Sequence, residues 1–241
     1  MLDRWPQFLR RFPTVAACAA APVGDVIDEW SGLGYNRRAV YLHQAAGVVV
    51  AEHGGELPRS LPALLALPGV GPYTAQATSA FAFEADEAVV DTNVGRIFAR
   101  MTGAKLSTRQ AQRLADEAVP AGHGWSWNQA LLDLGASICT SRQPACDRCP
   151  IASNCSWASV GPDPAIGSAA VSTRQSRFEG SDRQGRGRLV RQLRAAPIAH
   201  DALAAATGWP NDRERAEAVA DSLVADGIIE RRDGWLVLAG W

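Results

Sequence analysis

The segment LPALLALPGVGPYTAQATSAFAF, residues 61–83, decides the fold of the first part of this chain. Leu61 to Leu67 predict a short apolar helix, and Pro72 opens a second helix, where the N–H that proline lacks would have no partner anyway. Between them lies a tight Pro-Gly-Val-Gly turn, whose glycines let the backbone approach a ligand closely. Amide N–H groups that point outward at the start of a helix can bind a phosphate. The segment therefore predicts a helical hairpin, and these residues fit either a phosphate-binding turn or an ordinary glycine-rich turn.

The helical pattern continues on both sides of this hairpin. Throughout residues 1–157, apolar residues recur at the spacing of one helix face, and no convincing run of alternating strand residues occurs. The expected helices cover residues 5–12, 23–30, 37–53, 61–66, 72–83, 93–101, 108–119 and 126–138. This part of the chain is therefore expected to form a mainly α domain.

An aspartate follows the hairpin in the segment AVVDTNVGRIFAR, residues 88–100. Asp91 comes after three apolar residues and directly before a helix, which is where a carboxylate caps the free amide groups of the first turn. It could equally face a reactive centre from the end of that helix. Both interpretations can hold together, because capping fixes the side chain.

Four cysteines close the α domain with the spacing C-x6-C-x2-C-x5-C: Cys139, Cys146, Cys149 and Cys155. Tetrahedral zinc sites usually combine two short knuckles across a longer loop. Uneven arms suit a 4Fe-4S cubane, in which each iron takes one thiolate. A pair of disulfides would leave Cys18 over in a chain with no visible signal peptide. The spacing favours the cluster, and zinc and disulfides remain open alternatives.

Composition limits the class of protein. The 241 residues are 47% hydrophobic and 20% charged, with a net charge of −1, so that nucleic-acid binding would depend on local basic patches. No apolar run approaches the roughly 18 residues that a membrane span needs. The start, MLDRWPQFLRRF, lacks the apolar core of a secretion signal. We therefore expect no membrane association and a cytoplasmic location.

The rest of the chain has a different composition. Residues 158–185 are rich in Ser, Gly, Pro and Ala and predict a flexible linker. Residues 186–241 predict three short helices and then a hairpin with Asp233-Gly234 at its turn, which is a winged-helix-like domain. Such a domain binds duplex DNA in some proteins and serves as a docking or packing module in others. Arginines in this region favour DNA contact, although a solvated basic face explains them equally: Arg174, Arg177, Arg183, Arg186, Arg188, Arg191 and Arg194.

Taken together, three motifs resemble the helix-hairpin-helix DNA glycosylases that carry an iron–sulfur cluster. The hairpin LPGVGPYTA, the segment VDTNVGR and the cysteine loop occur in the order and spacing of that family. The segments GLGYNRRAVYLHQAA (32–46) and NQALLDLGASIC (128–139) are most similar to its adenine-specific members. The resemblance covers about residues 5–157 and implies three regions: a helix-hairpin-helix glycosylase domain at 1–157 with a 4Fe-4S loop at 139–155, a linker at 158–185, and the winged-helix-like domain at 186–241.

The resemblance also implies roles for individual residues. Asp91 would stabilise the cationic sugar as the glycosidic bond breaks, and Asn93 would help hold the site. Tyr73 occupies the position of a lysine nucleophile in bifunctional relatives and cannot form a Schiff base, which implies a monofunctional hydrolase. Contacts with DNA would come from Gly69, Val70 and Gly71 in the hairpin, from Leu33 and Tyr35 as a wedge beside the opposing base, and from Arg142 and Arg148 in the cysteine loop. The alternatives without a DNA-binding role are a partly buried core tyrosine at position 35 and plain solvent exposure of the two arginines.

One expected residue is missing from the printed sequence. The family carries a glutamate, followed by a Gln-Gln-Thr-like segment, on a helix upstream of the position where this chain aligns, and that glutamate protonates the departing base. No equivalent occurs in the 241 residues. Three explanations are open: a fragment or a wrongly assigned start, an inactive or partner-dependent relative, and replacement by another carboxylate such as Asp28 or Glu29.

The expected function is therefore base-excision repair by a monomeric, bacterial-type, nucleoid-associated enzyme. It would hydrolyse the bond to adenine mispaired with 8-oxoguanine or guanine in double-stranded DNA. Removal of mismatched thymine or uracil is an alternative, and so is a truncated, non-catalytic module that binds damaged DNA.

Overall fold

The computed structural model describes residues 4–171 and 177–241. The mainly α prediction for the first part is confirmed, and each expected helix lies within about two residues of its predicted bounds. The helices of this part are α1 Arg4–Arg11, α2 Val15–Ala20, α3 Val23–Glu29, α4 Arg37–His53, α5 Leu61–Ala66, α6 Pro72–Ala82, α7 Thr92–Thr102, α8 Thr108–Ala118 and α9 Gly124–Ser137.

Helix α2 is the one that periodicity missed. Its sequence, VAACAA, has no polar face, so no amphipathic pattern marks it. The helix begins where the Thr14 hydroxyl accepts a hydrogen bond from the amide of Ala17 at 3.0 Å. Capping by a threonine is therefore the local signal that could have located it.

The helical hairpin of residues 61–83 forms as its sequence predicts. Helices α5 and α6 flank the turn, and Pro72 is the first residue of α6. Gly69 adopts a φ of +73°, a conformation that favours glycine. A Cβ atom at this position would also lie 2.4 Å from the Cβ of Tyr41, so the turn needs glycine for two separate reasons.

The chain divides into two compact units. Unit 1 comprises Met1–Pro58, Leu67–Gly69 and Gln175–Trp241, and unit 2 comprises Arg59–Ala66 and Val70–Arg174. One hydrophobic core fills unit 1 and draws its buried side chains from both ends of the chain, including Val26, Ile27, Ala39, Leu189, Leu193, Leu223, Ile228 and Leu236. A second core fills unit 2 and includes Val94, Ile97, Phe98, Leu106, Ala111 and Leu131.

Unit 1 contains the elements that were expected to form a winged-helix-like domain. These are α10 Asp182–Leu193, β1 Ile198–Ala199, α11 Leu203–Thr207, α12 Arg213–Ala225, β2 Ile229–Arg232 and β3 Trp235–Leu238. The strands form an antiparallel sheet of order β1-β3-β2, and the β2–β3 turn has positive φ at Asp233 (+47°) and Gly234 (+82°). The predicted domain boundary at residue 186 does not coincide with a boundary between the compact units, because these elements share their hydrophobic core with α1–α4.

The structure differs from the flexible linker expected at residues 158–185. Ala165 and Ser168 are buried against unit 2, and the Ser168 hydroxyl accepts a hydrogen bond from the amide of Leu106 at 3.1 Å. A Cβ added at Gly95 of α7 would lie 2.7 Å from the carbonyl oxygen of Ala170. Small residues here allow close packing of backbone on a helix, so their abundance does not indicate flexibility. Residues 172–176, including the predicted basic residue Arg174, lie outside the described residues.

In the described residues, no helix is both long and apolar enough to cross a bilayer.

Candidate active site and cysteine loop

Asp91 is the N-cap of α7, as its position in the sequence predicts. Its Oδ1 accepts hydrogen bonds from the amides of Asn93 at 2.7 Å and Val94 at 2.8 Å, and its Oδ2 accepts one from the Asn93 side-chain amide at 3.0 Å. Three donors therefore fix the carboxylate in one orientation. The positive end of the helix dipole also favours a negative charge at this position.

The Asp91 carboxylate belongs to the lining of an open cavity in unit 2. The space between the lining atoms is about 620 Å³, part of it continuous with solvent. The lining residues are Tyr73, Val90, Asp91, Thr92, Thr108, Ala169 and Ala170. Two of the predicted catalytic residues, Tyr73 and Asp91, thus lie at one cavity, and Asn93 bonds to the second of them.

Apart from Val90 and Thr92, which flank Asp91, sequence reasoning missed three residues of this lining. Thr108 follows Ser107, the N-cap of α8, so the capping-box pattern Ser-x-x-Gln was the available signal for its position. Ala169 and Ala170 come from the segment expected to be a linker, and no sequence signal marks them.

The phenol of Tyr73 is half-exposed in this cavity. Partial burial raises the pKa of Tyr73, and the negative charge of Asp91 raises it further. Because both effects disfavour the phenolate, the hydroxyl of Tyr73 keeps its proton at neutral pH. The cavity therefore presents a fixed carboxylate beside a neutral hydroxyl.

Arg96 of α7 connects the capped aspartate to the start of the cysteine loop. Its guanidinium is 5% exposed and donates to Asn93 Oδ1 at 2.8 Å, to the Gly135 carbonyl at 2.7 Å and to the Cys139 carbonyl at 2.7 Å. Burial lowers the pKa of Arg96, although an arginine remains charged. A Cβ at Gly135 would lie 2.6 Å from the Cβ of Asn93, so the glycine lets α9 approach α7 closely.

Arg100 lies one turn further along the same face of α7 and is 2% exposed. It forms an ion pair with Asp163 at 2.6 Å and donates to the Thr140 carbonyl at 2.8 Å and to the Cys139 sulfur at 3.3 Å. Burial alone would lower the pKa of Arg100, but its bonds to Asp163 and Cys139 outweigh that effect and raise it. The sequence marks neither buried arginine, because arginines usually lie on the surface.

The four predicted cysteines line one cavity and are unpaired in the structure. The cavity has a volume of about 400 Å³, part of which is open to solvent. The other residues that line it are mostly apolar. Across residues 4–171 and 177–241, no three His, Cys, Asp or Glu side chains lie close enough together to hold a single metal ion. The four sulfurs therefore face one shared, mostly apolar space.

The residues predicted to contact DNA are exposed or half-exposed. Gly69 and Gly71 are exposed in the hairpin turn, and Val70 between them is half-buried. Tyr35 is 62% exposed, has a φ of +49° and lies with its ring centroid 5.2 Å from the Arg38 guanidinium. Tyr35 therefore lies outside the core, which contradicts the alternative of a partly buried core tyrosine.

Leu33 and the two loop arginines complete this group of residues. Leu33 is half-buried in the segment before Tyr35. Arg142 and Arg148 are exposed, and no ion pair forms to either within the described chain. Both guanidinium groups are therefore available to an anion.

Comparisons with known proteins match these features. The profile of a family described as HhH-GPD superfamily base excision DNA repair protein matches residues 2–121. The adenine DNA glycosylase of Mycolicibacterium smegmatis is 39% identical over 243 residues, which covers 98% of this chain and 80% of the relative. That of Mycobacterium tuberculosis (strain H37Rv) is 36% identical over 253 residues, covering 100% and 80%.

Similarity to more distant proteins covers a smaller part of the chain. The human adenine DNA glycosylase is 36% identical over 162 residues, or 64% of this chain and 30% of the human protein. A solved thermostable thymine-DNA glycosylase superposes with a TM-score of 0.62 at 31% identity, covering 65% of this chain and 75% of that one. Endonuclease III in a non-covalent DNA complex gives a TM-score of 0.59 with the same coverage, and at 22% identity it supports the fold alone.

Proposed function

This chain belongs to the HhH-GPD superfamily of base excision DNA repair proteins, and on that premise we propose the reaction that its site performs. It is a DNA glycosylase most like the adenine-specific members. We propose that it binds double-stranded DNA, rotates an adenine paired with 8-oxoguanine or guanine out of the stack, and hydrolyses its N-glycosidic bond.

The observation that carries this proposal is the orientation of Asp91 at the open cavity. Loss of the base leaves positive charge on the sugar, and a carboxylate already fixed by three hydrogen bonds stabilises that charge without reorganising. Tyr73 lies at the same cavity. A glycosylase that attacks the sugar through a Schiff base needs an amine as its nucleophile, and a phenol cannot form that bond. The reaction is therefore hydrolysis without cleavage of the strand through an imine.

Departure of adenine also needs a proton donor. Asp28, one of the two carboxylates considered as a substitute for the family's glutamate, forms an ion pair with Arg194, which also donates to the Ser31 hydroxyl at 2.8 Å. This pairing commits Asp28 to the packing of unit 1. Among the described residues that line the cavity, the phenol of Tyr73 and the hydroxyls of Thr92 and Thr108 carry protons at neutral pH, and a phenol is a much stronger acid than an aliphatic alcohol.

The cysteine loop fits a 4Fe-4S cluster better than it fits zinc. Four thiols line one apolar-walled space, and their spacing in the sequence lacks the second short knuckle that is usual in zinc sites. Cys139, Cys146, Cys149 and Cys155 would be the ligands, and the cluster would supply a rigid, redox-active centre. Two protein donors already contact sulfurs that would become thiolate ligands: Arg100 at Cys139 and the amide of Ala158 at Cys155.

Several exposed groups are proposed to bind the DNA. The amides at Gly69, Val70 and Gly71 would position a phosphate without reading sequence. Tyr35, with Leu33 behind it, would wedge beside the opposing base, and its exposure supports that role. Arg142 and Arg148 would contact phosphates, since neither is neutralised within the described chain.

The test is single-turnover base release from duplexes that contain adenine opposite 8-oxoguanine or thymine opposite guanine. We expect adenine release by the iron-loaded protein and a loss of about 10²–10³-fold in Asp91→Asn, because the amide keeps the cap but removes the charge. The matched control is Asp212→Asn, since Asp212 caps α12 by accepting from the Arg215 amide at 3.1 Å but lies in the other unit. Its rate should stay within about twofold of wild type.

Two other outcomes would replace the proposal. Release of thymine in preference to adenine would favour the alternative of a mismatch thymine glycosylase. The similarity to the solved thymine-DNA glycosylase is the reason for testing that alternative. Intact binding of both duplexes without release of either base would assign this chain to damage binding.

A further inference from the structure

The turn that follows the last cysteine adopts an unusual backbone conformation. Ala158 has a φ of +39° and Ser159 a φ of +66°, so two consecutive residues other than glycine occupy the left-handed region. Side chains with a Cβ atom rarely adopt this conformation, and strained residues cluster where the surrounding structure requires them. The turn is closed by hydrogen bonds from the Val160 amide to the Trp157 carbonyl at 2.7 Å and from the Trp157 indole to the Gly161 carbonyl at 3.2 Å.

This conformation directs two polar groups at cysteine sulfurs. The amide of Ala158 donates to the Cys155 sulfur at 3.4 Å, and the hydroxyl of Ser159 lies 3.0 Å from the Cys146 sulfur. A free thiol could donate or accept in the second contact. A metal-bound thiolate has no proton, so the Ser159 hydroxyl would then be the donor.

The contact of Ser159 differs from the others around the cavity. Arg100 reaches Cys139 from a buried position on α7, whereas Ser159 is exposed and approaches Cys146 from the solvent side. Within the part of the chain that the structure describes, no donor reaches the sulfur of Cys149. Within the described residues, Ser159 is therefore the exposed side chain that contacts a sulfur of the cysteine cavity.

We propose that Ser159 is a tuning residue: its hydroxyl donates a hydrogen bond to the Cys146 thiolate, raises the reduction potential of the bound cluster and slows its loss to solvent. Hydrogen bonds to cluster sulfurs stabilise the reduced, more negative state and therefore raise the reduction potential, which also depends on net charge and solvent exposure. The strained turn orients the hydroxyl of Ser159 toward the Cys146 sulfur, and this orientation accounts for the strain. This inference rests on the proposed cluster and is independent of which base the protein removes.

The test compares variants of Ser159 in the full chain, purified without oxygen. Ser159→Ala removes the hydroxyl, Ser159→Gly removes it and also relaxes the turn, and Ser159→Asn keeps a donor on a residue that tolerates the left-handed region. The matched control is Ser153→Ala, because Ser153 is an exposed serine of the same loop whose hydroxyl bonds to Asn154 Oδ1 at 3.0 Å and not to a sulfur. The measurements are iron per chain, the midpoint potential by protein-film voltammetry, and the rate at which cluster absorbance decays in air.

We expect equal iron content in all variants, a more negative midpoint and faster decay in Ser159→Ala and Ser159→Gly, and values near wild type in Ser159→Asn and Ser153→Ala. An unchanged midpoint in Ser159→Ala at full iron content would overturn the proposal, since the turn would then have a purely structural role. A wild-type protein that contains zinc and no iron would overturn the cluster itself, and iron analysis separates that result from the first. Base release does not enter either comparison.

Discussion

At the scale of single residues, Glu84 has a backbone conformation that favours glycine. It begins the segment Glu-Ala-Asp-Glu, residues 84–87, which stands between α6 and Asp91. Glu84 takes over the glycine conformation, with a φ of +57°, and its side chain is exposed. A residue with a Cβ is strained there, so the chain keeps the turn at a cost in stability.

We expect Glu84→Gly to stabilise the protein by about 0.5–1 kcal/mol. The substitution removes a left-handed strain of about 1–2 kcal/mol, and the greater flexibility of glycine in the unfolded chain offsets about half of that gain. Chemical denaturation of unit 2 measures the effect. Glu117→Gly, at an exposed position inside α8, is the control and should lose about 1 kcal/mol; equal losses at both positions would refute the account of the turn.

At the scale of elements, the loop that leads into α9 is held by one carboxylate. Asp86 accepts hydrogen bonds from the amides of Gly122 at 2.7 Å and Gly124 at 3.0 Å. These bonds, with that of the Gly122 amide the largest contribution, lower the pKa of Asp86 below its ordinary value of 3.8. Gly124 has no space for a side chain, because a Cβ there would lie 2.3 Å from the Ala85 carbonyl oxygen.

This carboxylate predicts a pH dependence with a definite sign. Because the folded pKa of Asp86 is depressed, its contribution is fully present above the ordinary pKa and is lost as the pH falls through the folded value. The difference in unfolding free energy between wild type and Asp86→Asn should therefore be constant near neutral pH and should shrink below about pH 4. A difference that grows on acidification would contradict the assignment.

Some elements were readable from sequence, and others were not, for physical reasons. The hairpin, the capped aspartate and the long helices carry local signals: glycine with proline, an N-cap residue, and a 3.6-residue period. Arg96 and Arg100 carry no such signal, because their burial depends on carbonyls of Gly135, Cys139 and Thr140 that are about 40 residues away. The tight packing of residues 163–171 was misread as flexibility, because small side chains are common to both.

At the scale of the whole molecule, the chain forms two hydrophobic cores, and the core of unit 1 combines residues from both ends of the sequence. The winged-helix-like elements share a core with α1–α4, which carry Tyr35 on the segment between α3 and α4. Sequence could not reveal this, since the contacts join residues about 160 positions apart, as in the pair of Asp28 with Arg194. Three of the arginines that favoured DNA contact, Arg177, Arg186 and Arg194, form ion pairs with carboxylates, which weakens the case for DNA contact at those positions.

Because α3 and α12 contribute side chains to the same hydrophobic core, we expect the two helices to unfold together. Leu223→Ala in α12 should cost about 2–5 kcal/mol and should lower amide protection in α3 (Val23–Glu29) as well as in α12 itself. Hydrogen exchange read by mass spectrometry resolves both segments. The matched control, Leu131→Ala in the core of unit 2, should lower protection in α7. Loss of protection confined to α10–α12 in the first variant would show that the two parts of unit 1 unfold independently.

The packing of Ala169 and Ala170 has a consequence for how the cavity can change over evolution. On that wall the cavity is bounded by methyl groups and main chain lying on Gly95, so the path of the backbone sets its width. A larger side chain in place of either alanine narrows the opening, and glycine would widen it by no more than one methyl group. A lineage that comes to accept a bulkier base would have to reroute residues 163–171, and insertions or deletions in that stretch would be a clearer mark of altered substrate choice than point changes.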